Sequence, residues 1–319
     1  MKAAFHRRHG SPDVLEYGDV PDPVVKPKTV LIRVQAISIE GGDLLNRRIS
    51  PVSAPHVGGY QAAGIVEAVG AEATRVAVGD RVVGFNWGGS HAELFAVPEH
   101  FAYPIPDGLD IDAAATVPVA FGTAADALFE FGKIQPGETV LVQGAAGGVG
   151  IAAVQLAAQA GAIVIGTASS DERLERLKGF GMHHGINYRS EDIGARTQAL
   201  TDGRGCDYVL DLAGGKSMDA LMNAVRYRGR FAVVGASSGD LPSFQFMDLL
   251  RKSLTLYGVF FGLEMHTPRA HALLDDLFRR MAAGTLSMPI DRIFPLADAV
   301  AAHTHVEQGH PFGRVLMKP

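Results

Sequence analysis

The sequence predicts an α/β protein, with a doubly wound parallel sheet in the middle of the chain and a smaller β-rich domain beside it. Three observations lead there. Glycines at 144, 147, 148 and 150 stand between an apolar run and an alanine-rich helical stretch. After them, apolar runs and helical segments alternate as far as about residue 260. Before them, the first 120 residues hold short β-prone runs divided by Pro, Gly and Asp, the texture of a small antiparallel, barrel-like domain.

Taken in order, residues 30–34, 64–69 and 81–85 read as strands, separated by turns such as Val78-Gly79-Asp80. Pro104, Pro106 and Asp107-Gly108 punctuate the end of this part, and from Ile111 the chain turns alanine-rich and helical as far as Phe131. Val140-Leu141-Val142 suits a strand buried on both faces. Residues 151–160 are built mainly from alanine and unbranched side chains, which favours helix, and Gly161 stands where a C-cap belongs. Residues 163–165 form the next strand. A helix at 174–178 follows, and runs at 185–188, 206–211, 231–234 and 254–257 bring the candidate strands to six, the doubly wound count.

Thr267 as N-cap, Pro268 as first helical residue and Gly284 as terminator sign a helix in the last portion. Strands at 293–296 and 313–316, with a helix at 297–306 between them, complete a tail expected to return to the first domain. The expected domains are therefore 1–120, 121–262 and 263–319.

Whole-chain properties narrow the function classes. At 319 residues the length suggests about two domains, each with its own core. A net charge of −5 leaves no footprint for nucleic acid or an anionic membrane. Apolar stretches are interrupted before membrane-spanning length, so no transmembrane helix is expected. The basic start lacks the apolar core of a secretion signal. Cys206 is the single cysteine, which excludes an internal disulfide and fits a reducing cytoplasm, the expected location.

The glycine stretch carries the chemistry. Without Cβ atoms, its backbone N–H groups can approach a diphosphate, and the helix that follows adds partial positive charge at its N-terminus. A tight turn in any parallel α/β protein is the plainer reading, but strand, glycine turn, helix and strand in one crossover form a Rossmann dinucleotide-binding unit. Ala146, Gly147, Gly148 and Val149 are thus expected on the cofactor. NAD-specific folds place a carboxylate at the end of the second strand. Here that place is taken by Ala168, Ser169 and Ser170, while Ser169 and Glu172 read as a capping box. Arg173 lies one turn in, where a guanidinium suits a 2′-phosphate. Together these favour NADPH over NADH. Strand ends place Tyr188, Ala213, Gly235 and the Phe260-Phe261 pair as further cofactor candidates.

Five stretches resemble one family: Gly58-Gly59-Tyr60-Gln61-Ala62-Ala63-Gly64, Val78-Gly79-Asp80-Arg81-Val82, Gln143-Gly144-Ala145-Ala146-Gly147-Gly148-Val149-Gly150, Ile186-Asn187-Tyr188 and the closing Gly313-Arg314-Val315-Leu316. The sequence is similar to the medium-chain dehydrogenase/reductase superfamily, in particular its zinc-independent quinone oxidoreductase branch. The resemblance runs through nearly the whole chain. It implies a GroES-like catalytic domain in two chain segments, a Rossmann domain between them, and a homodimer. It implies NADPH contacts at Thr123, Gly148, Val149, Ser169, Arg173, Tyr188 and Gly235, and Arg314 in the closing strand is expected there too.

Zinc relatives hold their metal with a cysteine in an early loop, a Gly-His-Glu segment and a later cysteine. Here the early loop is Ser38-Ile39-Glu40-Gly41-Gly42-Asp43, and Gly59-Tyr60-Gln61 replaces Gly-His-Glu. One cysteine cannot build a four-cysteine structural lobe. His303 and His305, two apart on a helix, face different ways with no carboxylate signed, and His183-His184 read as loop residues. No metal is expected. Without a Lewis acid, hydride transfer suits acceptors that already delocalise charge, namely a quinone or a conjugated enone.

The family pattern is broken at Glu40, where relatives usually carry asparagine, and at Leu45 and the shortened loop 50–56, where tyrosines are usual. Glu40, Asp43 and Tyr60 are the cleft candidates, and no catalytic residue is assigned. Two rivals stand: a non-enzymatic NADPH-binding sensor or structural protein, and a serine hydrolase. The latter rests on the elbow-like Gly235-Ala236-Ser237-Ser238-Gly239, which runs into Asp240-Leu241-Pro242 instead of a helix.

Overall fold

The computed structural model describes every residue except 53, 54, 241 and 242. The chain divides into two compact units, residues 1–122 with 263–319 and residues 123–262, the first boundary lying just beyond the expected 120. The first segment runs through β1 (Lys2–His6), β2 (Leu15–Asp19), β3 (Thr29–Ser38), α1 (Gly41–Ile49), β4 (His56–Val57), β5 (Gln61–Val69), β6 (Arg81–Phe85), β7 (Leu94–Pro98) and β8 (Ala102–Pro104). The expected strands form the cores of β3, β5 and β6. In β3, Val30, Ile32 and Val34 are buried while Arg33 and Gln35 are exposed, the period of two that sets which face meets the core. Strands β1, β2, β4, β7 and β8 and helix α1 lie outside the expectations. They are short or polar, as in β2, where one residue of five is buried. The departing loop at 50–56 falls partly outside the described residues.

A continuous helical run, Ile111–Phe131, follows. It consists of α2 (Ile111–Ala114), a π-helical stretch Val117–Phe121, α3 (Gly122–Ala125) and a second π-helical stretch Asp126–Phe131. Pro118 removes one N–H from the ladder, and the next N–H, of Val119, donates to the Gln61 side chain at 3.2 Å. By length and composition this run could cross a membrane, a correction to the expectation that no stretch reaches that length. Of its apolar window, 72% is buried inside the protein, as in a core helix.

The second unit contains β9 (Thr139–Gln143), α4 (Gly148–Gln159), β10 (Ile163–Ala168), α5 (Asp171–Lys178), β11 (His184–Asn187), α6 (Ile193–Leu200), β12 (Cys206–Asp211), α7 (Met218–Ala224), β13 (Val225–Val233), α8 (Phe246–Lys252) and β14 (Thr255–Gly258). Its six strands are parallel throughout, in the order β11-β10-β9-β12-β13-β14. The order reverses beside β9, which is buried along its whole length. That reversal is where an open α/β sheet binds its ligand. His184 opens β11, against the expectation of a loop, while His183 lies before the strand as expected and its Nδ1 accepts the Val164 N–H at 3.1 Å.

The tail forms α9 (Pro268–Ala282), β15 (Ile290–Pro295), α10 (Ala299–Gln308) and β16 (Arg314–Lys318). Thr267 caps α9, accepting the Ala270 N–H at 3.2 Å, and Gly284 follows with φ +70. Strand β16 pairs parallel with β15 and antiparallel with β3, so the tail joins the first segment in one seven-stranded sheet.

A buried ion pair fastens that return. Arg314 on β16 pairs with Glu40 and donates from Nε to Ser38 Oγ at 3.1 Å. Glu40 Oε1 also accepts from Ser38 Oγ at 3.0 Å and from Gln61 Nε2 at 2.7 Å. Both charges are almost wholly buried, at 6% and 2% exposure. Removing one partner of such a pair leaves an uncompensated charge and costs about 3–5 kcal/mol, whereas replacing both by apolar groups is often near neutral. Glu40→Ala or Arg314→Ala should therefore lower the urea midpoint strongly, and the double change Glu40→Leu with Arg314→Leu should recover most of the loss.

Candidate active site

The phosphate-type turn of the second unit is pinned from below by β10. Thr167 Oγ1 accepts the Gly144 N–H at 3.1 Å and donates to Gln143 Oε1, and the Thr167 carbonyl accepts the Ala145 N–H at 3.0 Å. Gly144 has φ +75. At Gly150 a Cβ would collide with the Gly144 carbonyl and the Ala145 backbone, so only glycine lets α4 start this close to the turn. Gly147 is the N-cap of α4, and no side chain caps it. The first-turn N–H groups of a helix need acceptors from elsewhere, and an anion meets that need.

Ser169, Tyr188, Ala213, Gly235 and Phe260 follow β10, β11, β12, β13 and β14 in turn, so a parallel sheet brings them with the glycine turn to one carboxyl-end edge. Tyr188 and Phe260 are exposed; Ser169, Ala213 and Gly235 are half-buried. The aromatic pair divides, with Phe261 buried in the core. Thr123 stands apart from this edge, half-buried on α3. At the β10 end the cap is Ser170, whose Oγ accepts the Arg173 N–H at 3.4 Å. The expected Ser169–Glu172 box therefore gives way to a single Ser170 cap, since the residue three beyond it is Arg173. Asp171 Oδ1 accepts from Asn187 Nδ2 at 2.9 Å, which gives that carboxylate a structural partner on β11. Arg173 lies half-buried in the first turn of α5.

Asp211 was missed by sequence reasoning. It is fully buried at the end of β12, and its Oδ1 accepts the N–H groups of Ala213 at 3.0 Å and Gly214 at 2.9 Å. Burial pushes its carboxyl above the usual range against those two bonds. The signal was present as a strand-ending Asp followed by Ala-Gly-Gly. Ser237 and Ser238 lie in an exposed turn after β13 and not at the start of a helix, while residues 241 and 242 fall outside the described residues.

In the first unit, the three cleft candidates separate. Glu40 is committed to the ion pair with Arg314, which places Arg314 in that core and not, as expected, on a cofactor. Asp43 is buried on α1, where its Oδ2 accepts the Glu40 N–H at 2.7 Å and lies 3.6 Å from His91 Nε2. Tyr60 Oη accepts from Asn46 Nδ2 at 2.7 Å. Around Asp43 and Tyr60 the fold gathers His6 from β1, His56 from β4, His91 and, from α10, His303. Gly59, at φ +92, must be glycine, because a Cβ there would strike the His91 ring and Ser90 Oγ. Arg47 Nη1 donates to His303 Nδ1 at 2.7 Å while its Nη2 pairs with Glu307. His305 faces elsewhere, 2.7 Å from Asp291 Oδ2, so it has the carboxylate partner that the sequence did not sign.

Burial sets the electrostatics of this cluster. It pushes the Asp43 carboxyl up against the pull of His91, and Tyr60 up to about 12 with the Asp43 charge adding. It holds His6 and His56 below the usual value and His303 well below it. No group of three or more His, Cys, Asp or Glu is arranged for a metal among the described residues. The donor set at the zinc relatives' positions is also wrong for zinc: Glu40 is held by Arg314, Ser38 and Gln61, and Tyr60 by Asn46.

A parallel sheet ending in a glycine turn and an uncapped helix, joined in one chain to a β-rich unit, defines a two-unit dinucleotide-dependent oxidoreductase class. Residues 148–276 match the zinc-binding dehydrogenase family model and residues 26–107 the alcohol dehydrogenase GroES-like domain model. The chain is 34% identical to a quinone oxidoreductase of Pseudomonas aeruginosa, covering 98% of this chain and 97% of that protein. It is 30% identical to a 2-haloacrylate reductase of a Burkholderia species, covering 100% and 99%. An Escherichia coli quinone oxidoreductase solved with NADPH superposes with a TM-score of 0.94 at 27% identity, over 100% of both chains. The chain belongs to the medium-chain dehydrogenase/reductase superfamily, in its quinone oxidoreductase-like branch.

The histidine cluster makes stability pH-dependent. A ring with a depressed folded pKa binds its proton first in the unfolded chain, so stability is full above about pH 6.5 and falls below it. Asp43, with its raised folded pKa, binds its proton first in the folded chain and so opposes this fall. The urea midpoint should fall steadily from pH 7 to pH 5, and His303→Gln should flatten that fall.

Proposed function

We propose that the protein is an NADPH-dependent oxidoreductase that delivers hydride to a quinone or a conjugated enone without a zinc ion. The observation that carries the reading is the edge formed by the glycine turn, the uncapped start of α4 and the acid-free end of β10 beside Arg173. Backbone N–H groups at Gly148 and Val149 hold the diphosphate. Ser169 and Arg173 take the adenosine 2′-phosphate, with Tyr188, Ala213, Gly235 and Phe260 lining the rest of the edge. When bound, NADPH supplies a hydride from its nicotinamide ring.

The chain offers no Lewis acid at the zinc relatives' positions, so the acceptor must itself spread the incoming charge. Quinones and enones do this through conjugation; plain ketones do not. Two relatives, a quinone oxidoreductase and a 2-haloacrylate reductase, are named for acceptors of this conjugated kind. The protein acts as a homodimer in the cytoplasm. The dimer is supported by the open edge of β14, where Leu256 is 38% exposed, with Tyr227 on β13 and Phe246 on α8 also exposed. An unpaired edge of this kind suits continuation of the sheet into a second copy.

Calorimetric titration with each nucleotide, followed by NADPH oxidation with benzoquinone and an enone, tests the reading. Tight NADPH binding with no oxidation by any acceptor would favour the sensor instead. Arg173→Ala should weaken NADPH by about 10–100-fold, the scale of one charge-assisted phosphate contact, while leaving NADH within about twofold. Equal losses for both would remove Arg173 from the phosphate. Turnover should survive prolonged chelation, and inactivation reversed by added zinc would overturn the metal-free reading.

A further inference from the structure

We propose that Asp211 is the positioning residue for the nicotinamide half of the cofactor: one carboxylate oxygen holds two laced loops that seat this half, while the adenosine half is held independently. The proposal rests on the NADPH reading and deepens it.

The order of the sheet divides the cofactor. In that reading the adenosine 2′-phosphate lies at the end of β10 and the diphosphate at the glycine turn after β9. The sheet continues in the order β10-β9-β12-β13. A nucleotide laid along the edge in this direction brings its nicotinamide half to the ends of β12 and β13. Neighbouring strands lie about 4.8 Å apart, so these ends stand about 5 and 10 Å beyond β9, the reach of a ribose and a ring attached to the diphosphate.

The loops that leave those two ends are tied to each other. The Leu212 and Ala213 carbonyls accept the N–H groups of Ser237 at 3.3 Å and Ser238 at 3.0 Å. The approach is close: a Cβ on Gly235 would come within 3.0 Å of the Leu212 oxygen, and one on Gly215 within 2.7 Å of Ser238 Oγ. Gly214 and Gly215 turn the first loop with φ +65 and +72, in succession. Two glycines in a row have much conformational freedom to lose, so the loop needs an anchor.

Asp211 supplies it. The residue is fully buried, and Oδ1 accepts the N–H groups of Ala213 at 3.0 Å and Gly214 at 2.9 Å. Bonds from N–H groups to an ionised carboxylate are about twice as strong as neutral ones. Oδ2 is buried with no hydrogen-bond partner among the described residues, so the side chain's hydrogen bonds serve this loop alone. Farther along, Ser217 Oγ donates to the Gly214 carbonyl at 3.1 Å and accepts from Gln143 Nε2 at 3.3 Å, which closes the loop against β9. The glycine turn has its own anchor in Thr167. Loss of the Asp211 carboxylate therefore releases the seat at β12 and β13 and leaves the β9–β10 side standing.

The test compares NADPH with adenosine 2′,5′-bisphosphate, which lacks the nicotinamide half, on the full-length protein. In Asp211→Ala the calorimetric Kd for NADPH should rise about tenfold, the scale of the hydrogen bonds lost, while that for the bisphosphate stays within about twofold. Hydrogen exchange should show the Ala213 and Gly214 amides losing protection, with those of Gly144 and Ala145 unchanged. Asp211→Asn keeps an acceptor oxygen and should recover most of the NADPH loss, which a general packing defect would not allow. Should Asp211→Ala fail to fold, Ser237→Pro tests the lace from its other side. Ser237 is the first central residue of the exposed Ala236–Gly239 turn, where proline is favoured, and the change removes only the N–H given to Leu212. It should weaken NADPH about threefold and leave the bisphosphate unchanged. Equal losses for both ligands, no loss of NADPH affinity in any variant, or Asp211→Asn as impaired as Asp211→Ala would overturn the proposal. So would a wild-type protein that binds the bisphosphate as tightly as NADPH. A wild-type protein that binds neither ligand would overturn this proposal and the NADPH reading together.

Discussion

The contact on which the first unit depends is the buried pair between Glu40 and Arg314, separated by most of the chain's length. Strand β16 meets β3 through only two register pairs, Leu316 with Ser38 and Met317 with Ile37. So short a ladder resists slippage weakly, and a slip of one residue would turn every β16 side chain to the other face. Such a slip would also turn Arg314 away and leave the buried Glu40 carboxylate without its guanidinium. The pair is thus better understood as a register lock than as a source of stability, since an apolar replacement of both partners could match it energetically. Gln61 extends the lock, joining Glu40 to the Val119 N–H and so tying β5 and the helical run to the same point.

The second unit is organised differently, by close backbone approach. Gly150 lets α4 begin almost on top of the Gly144 carbonyl, and Thr167 ties the turn to β10 with both its hydroxyl and its carbonyl. The turn is therefore rigid before any ligand arrives. The ordering entropy that a flexible phosphate loop would lose on binding has already been lost in folding. Asp211 plays the same part at the end of β12, where one carboxylate oxygen fixes the loop that presents Ala213.

How much of this could be read in the sequence follows from the range of each signal. The parallel sheet was legible because its strands are apolar, continuous and separated by helices; β12 matches its expected run of 206–211 residue for residue. The phosphate turn was legible because everything it needs lies within one crossover. Helix α1 was not, since it opens on Gly41-Gly42 and is held at its start by a long-range core that only folding assembles. Arg314 was misassigned for the same reason, because nothing local to Gly313-Arg314-Val315-Leu316 points to Glu40. The histidine cluster was invisible, as its four rings come from four separate parts of the chain. Residue spacing correctly separated His303 from His305, but it could not find their different partners, Arg47 and Asp291.

Two kinds of buried polarity sit side by side in the first unit, and the contrast between them is informative. Around Glu40 the polar groups answer one another from five elements, which is what a purely structural network requires. A few residues along α1, the Asp43 carboxylate is only partly answered and faces two histidines with unanswered nitrogens. Capping alone does not explain this second arrangement, because Asp43 Oδ2 already serves the cap through the Glu40 N–H. Nor does packing explain it: apolar side chains of the same size would fill the space without the cost of desolvating an acid and two imidazoles. The same short helix therefore carries a satisfied lock at its N-cap and an unsatisfied, titratable group in its first turn. Folding accounts for the lock; the unsatisfied group is the one that chemistry has to account for.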